Sequence, residues 1–109
     1  MGTITYDGAI LEFDDRLLTH LQIVIMNRFR HGEGFVMSWL DSVESGDGRS
    51  SVWLSPNMAI YFKFFGSRVP EVNERWLATL AESAESTRGL VVTEEDGSLA
   101  RASRPNRRW

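Results

Sequence analysis

Cysteine is absent from the 109 residues. That excludes disulfides, thiolate metal sites and a cysteine nucleophile, and it fits a reducing cytoplasm. Lysine is nearly absent as well: Lys63 is the only one, so basic charge is carried by arginine. His20 and His31 are the only histidines, and two cannot by themselves make a strong metal site. The opening stretch, Met1–Gly8, lacks the basic segment and long apolar run of a secretion signal. No apolar run, Ile23–Met26 included, approaches the length needed to cross a bilayer. These absences predict a cytoplasmic protein with no membrane segment, no metal and no cofactor.

What is present suits one folded unit. Hydrophobic residues make up 42% and charged residues 25%, the balance of an ordinary globular domain, and this length can bury a core without covalent staples. The net charge of −3 is unevenly placed. Residues 1–96 hold all 15 acidic residues and 8 of the 12 basic ones, a net −7; residues 97–109 hold four arginines and no acid, a net +4.

Period and punctuation give the elements. Thr3–Tyr6 and Ala9–Phe13 alternate around Asp7-Gly8, a dipeptide suited to a type I′ hairpin turn. Asp14 or Asp15 can cap the helix that follows, whose Leu17, Leu18, Leu21, Val24, Ile25 and Phe29 recur at helical spacing up to a stop at Gly32. Gly34–Phe65 reads as a three-stranded antiparallel meander, with turns at "VESGDGR" and Pro56-Asn57 and apolar residues on both faces. A second helix is expected from Ser67 as cap with Pro70 in its first turn, burying Val72, Trp76, Leu77, Leu80, Ala81 and Ala84 and ending at Gly89. "LVVTEE" follows as a short strand. The expected fold is a single α+β domain over residues 1–96, in the order ββαβββα(β), with two helices on a mainly antiparallel sheet. Residues 97–109 are expected to form a basic, flexible tail. Trp39, Trp53 and Trp76 fall inside elements and are expected to anchor the core.

Motifs that would signal chemistry are incomplete. "SGDGRSS" has no lysine after its second glycine and precedes a strand, so it is no phosphate loop, and Gly-x-Gly without the third glycine is no dinucleotide fingerprint. No Gly-x-Ser-x-Gly elbow accompanies either histidine. His20 is expected at the border of the first helix's apolar stripe with a local hydrogen bond.

The stretches "MGTITYDG", "FDDRLLTHLQIVI", "FRHGEGFVMSW", "GDGRSSVWLSPN" and "YFKFFGSRVPEVNERWLATLAESA" resemble a family of small uncharacterised actinobacterial proteins of about this length, over roughly residues 1–93. Some members carry the label "ATP-dependent DNA ligase", which implies nucleotidyl transfer. That chemistry needs a lysine nucleophile in Lys-x-Asp-Gly-x-Arg. Here Ser45 stands two before Asp47, Arg49 comes one residue early, and Lys63 has no Asp-Gly after it. The label therefore finds no catalytic residue in this chain.

Two polar sets remain. Arg49, Ser51, Lys63, Ser67 and Arg68 could form a surface for an anion or a partner, with Gly66-Ser67-Arg68 at a helix N-terminus receiving the anion. Arg101, Arg104, Arg107, Arg108 and Trp109 could contact nucleic acid by phosphate pairing and base stacking. The leading expectation is a non-enzymatic binding domain whose partner is another protein or a second copy. A nucleic-acid accessory role through the tail is the alternative.

Overall fold

The structure is a computed structural model in which residues 1–104 are described. β1 (Gly2–Tyr6) and β2 (Ala9–Phe13) form the expected hairpin. Asp7 and Gly8 turn it with φ of 49° and 85°, the two positive values that a type I′ turn requires. α1 (Asp15–Arg30) follows, with the Asp14 carboxylate accepting from the Arg16 N–H as cap. Leu17, Leu18, Leu21, Val24 and Ile25 are buried as their spacing predicts, and Phe29 packs on Phe35 with ring centroids 6.0 Å apart.

β3 (Phe35–Asp41) and β4 (Arg49–Leu54) pair antiparallel across a loop that contains a single 3-10 turn, Val43–Ser45. β5 (Ile60–Lys63) then departs from the expected meander: it pairs with β1, not with β4. The register explains the choice. Ile4 meets Phe62 and Tyr6 meets Ile60, so aromatic and β-branched side chains face each other across the strands. The Tyr6 hydroxyl accepts the Ser55 N–H at 2.8 Å and holds the crossing. α2 (Glu74–Glu85), β6 (Leu90–Val91) and β7 (Arg101–Ala102) are the remaining elements of the described residues.

The described residues form one α+β domain with two helices and seven strands in two mostly antiparallel sheets, ordered β2-β1-β5 and β4-β3-β6 with β7 also on β3. Phe13 and Trp39 touch edge to face between the sheets, centroids 6.4 Å apart.

Three further boundaries differ from expectation. α2 starts at Glu74, not near Ser67, because the Asn73 side chain caps it by accepting the Arg75 and Trp76 N–H groups at 3.0 and 3.1 Å. Pro70 lies ahead of the helix and disfavours helical backbone at Val69. The helix also ends at Glu85, before Gly89. The chain after Asp96 is not loose up to Arg104. Ala100 and Ala102 are fully buried, and their carbonyls accept the Leu40 and Ser42 N–H groups. Ser103 exchanges two backbone hydrogen bonds with Glu12, at 2.7 and 3.2 Å, and so joins the two sheets. Alternating alanines carry little apolar weight, which is why periodicity missed this strand. Arg107, Arg108 and Trp109 lie outside the described residues.

Candidate functional site

Helix α1 fixes the segment before α2 at two points. The Asp15 carboxylate accepts the Phe65 and Gly66 N–H groups at 3.0 and 2.8 Å. These bonds, Gly66 first, hold Asp15 below the usual carboxylate range. Of the Gly66-Ser67-Arg68 amides expected to receive an external anion, that of Gly66 is thus met from within the chain, and no helix N-terminus stands there. The second point is His20, which is fully buried, not at a border. Its Nε2 lies 3.0 Å from the Asn73 N–H and its Nδ1 lies 2.8 Å from the Arg16 carbonyl. An N–H can only donate and a carbonyl can only accept, so His20 is the neutral tautomer protonated at Nδ1. Both ring nitrogens are engaged, and Trp76 stacks on the ring at 4.4 Å.

Around this hub Arg16 bonds Glu95 at 2.6 Å and the Glu71 carbonyl at 2.7 Å, and Asn73 donates to Glu95 at 2.7 Å. Glu95 is held low, chiefly by Arg16, and Asp96 is held low by Ser98. Glu94 shifts the other way through burial and the charges of Asp14 and Asp96. The depressed groups lend stability that is present above their unfolded values and lost as pH falls through their lower folded values; Glu94 opposes them. Acid should therefore weaken the fold below about pH 4. Asp15→Asn is expected to lose about 1 kcal/mol at pH 7, with the deficit shrinking at pH 3. Urea melts at both pH values check this, and an equal deficit at both would contradict it.

The five predicted binding residues are divided. Arg49 and Ser51 lie on the solvent side of β4, in a groove of about 700 Å³ bordered also by Ser38, Leu40, Arg88 and Val91. Lys63 is exposed on β5 in the other sheet. Ser67 and Arg68 line a separate depression of about 140 Å³ beside Thr19 and Gln22. Among the described residues Arg68 forms no ion pair with Glu71 or Glu74. Arg101 donates to the Asp41 carbonyl at 2.7 Å and to Asp47 at 3.0 Å, while the Arg104 N–H donates to Ser45 Oγ. The Asp47-Gly48 that imitates a ligase motif is therefore a brace between the β3–β4 loop and β7. Arg28, at the end of α1, pairs with Glu33.

Sequence reasoning missed two members of the groove face. Arg88 reads as a helix-end residue, yet the early stop of α2 places it beside β6. Trp53 reads as core, yet it is 62% exposed. It shares a strand face with Arg49 and Ser51, and parity along β4 is the signal that could have found it. Its ring lies over Gly34, where a Cβ would come within 2.8 Å of the indole. Trp39 and Trp76 are buried as expected.

The β4 edge is open. The Asp41 N–H bonds the Gly48 carbonyl on the β4 side, while the Leu40 and Ser42 N–H groups bond toward β7. Alternation then turns the backbone of Ser50 and Val52 toward β3 and that of Arg49, Ser51 and Trp53 outward. No strand among the described residues pairs with that side of β4.

Residues 1–95 match the family described as "Domain of unknown function (DUF7882)", and the chain belongs to it. No curated protein and no solved structure matches the chain. None of the α-helices in the described residues is long and apolar enough to cross a membrane.

Proposed function

We propose that this member of the DUF7882 family is a binding module that takes an extended, acidic segment of a partner protein along β4. The observation that carries the reading is the open β4 edge beside a cationic groove. A strand added there would bond the outward backbone groups of Arg49, Ser51 and Trp53, as in recognition by strand addition. Arg49 and Arg88 border the groove and have no carboxylate partner among the described residues, so acidic side chains suit it. Trp53 offers an exposed aromatic anchor at the same face. Exposed edges are commonly blunted or covered, and here the cover would come from the partner.

The test uses the full chain with a polyglutamate peptide and, separately, a single-stranded oligothymidylate. Saturable peptide binding, reduced at least tenfold in Arg49→Glu/Arg88→Glu, is the expected result. Peptide affinity unchanged by that double reversal would overturn it. So would preferential oligothymidylate binding, which would move the role to the alternative reading through Arg101, Arg104 and the residues beyond. Light scattering examines the other occupant, a second copy. A concentration-dependent dimer lost in Ser51→Pro would replace the partner segment with self-pairing.

A further inference from the structure

A cavity of about 210 Å³ lies between the inner faces of the two sheets. On one side are Ile4, Tyr6 and Leu11 from the N-terminal hairpin; on the other are Met37, Trp39 and Val52. Trp39, Ser50 and Ser51 border both it and the solvent-side groove, but its ligand does not depend on the function proposed above. The split of the expected meander is consistent with its existence. With β5 on β1, the N-terminal hairpin becomes a three-stranded sheet that faces β3 and β4 across a gap.

The polar groups at this cavity are few and unevenly satisfied. Trp39 is 5% exposed, yet its indole N–H has no hydrogen-bond partner among the described residues. Ser50, another lining residue, gives its hydroxyl to the buried Asp41 carboxylate, 2.9 Å from each oxygen. The Tyr6 hydroxyl already accepts the Ser55 N–H. Arg104 lines the cavity from an exposed position, and its guanidinium has no ion pair among the described residues.

A buried donor without an acceptor costs roughly 1–3 kcal/mol, and an arriving acceptor would recover that. An apolar chamber with an unsatisfied N–H and a cation selects a ligand with an apolar body and an anionic, hydrogen-bond-accepting head. The volume corresponds to about seven waters, which limits the ligand to a small molecule. We propose that the inter-sheet cavity binds a small monocarboxylic acid. Its hydrocarbon part rests among Ile4, Leu11, Met37 and Val52, and its carboxylate is held by the Trp39 indole N–H and Arg104. An amide or alcohol of the same shape lacks the charge that Arg104 reads, so the site discriminates by head group.

Indole N–H resonances of the full chain, followed by NMR during titration with hexanoate and with hexanol, test the proposal. Trp53 and Trp76 serve as internal controls, the latter because its indole N–H already donates to the Thr93 carbonyl at 3.0 Å. Hexanoate is expected to move the Trp39 N–H resonance saturably and to bind at least tenfold more tightly than hexanol. Arg104→Gln, an exposed change that the fold should tolerate, is expected to remove that preference. Trp39→Phe, which keeps an aromatic ring and deletes the N–H, is expected to weaken hexanoate about tenfold. No movement of the Trp39 resonance with hexanoate would overturn the site. Equal affinity for hexanol, or an Arg104→Gln variant that still prefers hexanoate, would overturn the ligand class.

Discussion

Gly89→Ala is expected to destabilise the fold by about 4 kcal/mol or more. Two costs add at this position. Gly89 has φ of +78°, which charges alanine roughly 1–2 kcal/mol. The site is also closed: a Cβ there would fall well inside contact of the Val36 carbonyl oxygen and its Cγ1. Backbone cannot swing aside like a side-chain tip, so β6 would have to lift from β3. The surrounding bonds would suffer with it, since Ser83 Oγ accepts the Val91 N–H at 2.8 Å and donates to the Gly89 carbonyl at 3.1 Å. Gly97→Ala is the matched control. Its φ is +92° and nothing lies within 4 Å of a Cβ, so it should show only the conformational cost. Urea denaturation of both variants isolates the steric part. Similar losses for the two would refute the close approach at Val36.

The second large effect is expected at His20. His20→Ala should cost about 3–5 kcal/mol, combining a cavity beneath Trp76 with the loss of an acceptor for the Asn73 N–H. His20→Phe separates these terms. It keeps an aromatic ring against Trp76 but leaves the Asn73 amide unanswered, so it should cost about 2 kcal/mol. The loss should reach α2, because Asn73 is the residue whose side chain caps that helix. Chemical denaturation with circular dichroism reads both variants. A His20→Phe protein as stable as the parent would show that the Nε2 acceptor contributes nothing.

Local chemistry was legible in the sequence. Asp7-Gly8 specified its hairpin, Asp14-Asp15 the position of its cap, and the leucines of α1 their buried face. Strand partnership was not legible. β5 alternates Ile60 and Phe62 with Tyr61 and Lys63, and that pattern serves β4 or β1 equally well. The decision rests on Ile4 and Tyr6, more than fifty positions earlier in the chain. The start of α2 was misplaced because Ser67 and Pro70 form a plausible helix start, while Asn73, the actual cap, is fixed in place by a histidine from another element. The candidate site was half visible: Arg49 and Ser51 were found, but their grouping with Lys63, Ser67 and Arg68 assumed a single sheet. Arg88 and Trp53 join the groove face only once the short α2 and the parity of β4 are known.

The bridge between Glu12 and Ser103 bears on the order of assembly. The β1–β2 hairpin and α1 close short loops and can form early. Uniting the two sheets at Ser103 instead requires partners separated by nearly the whole described chain, and such closure carries the largest entropic barrier. The hairpin is thus expected to form before the Glu12 side of β2 is paired. The seam that completes the architecture is also where a slow, late step and transient aggregation risk would concentrate.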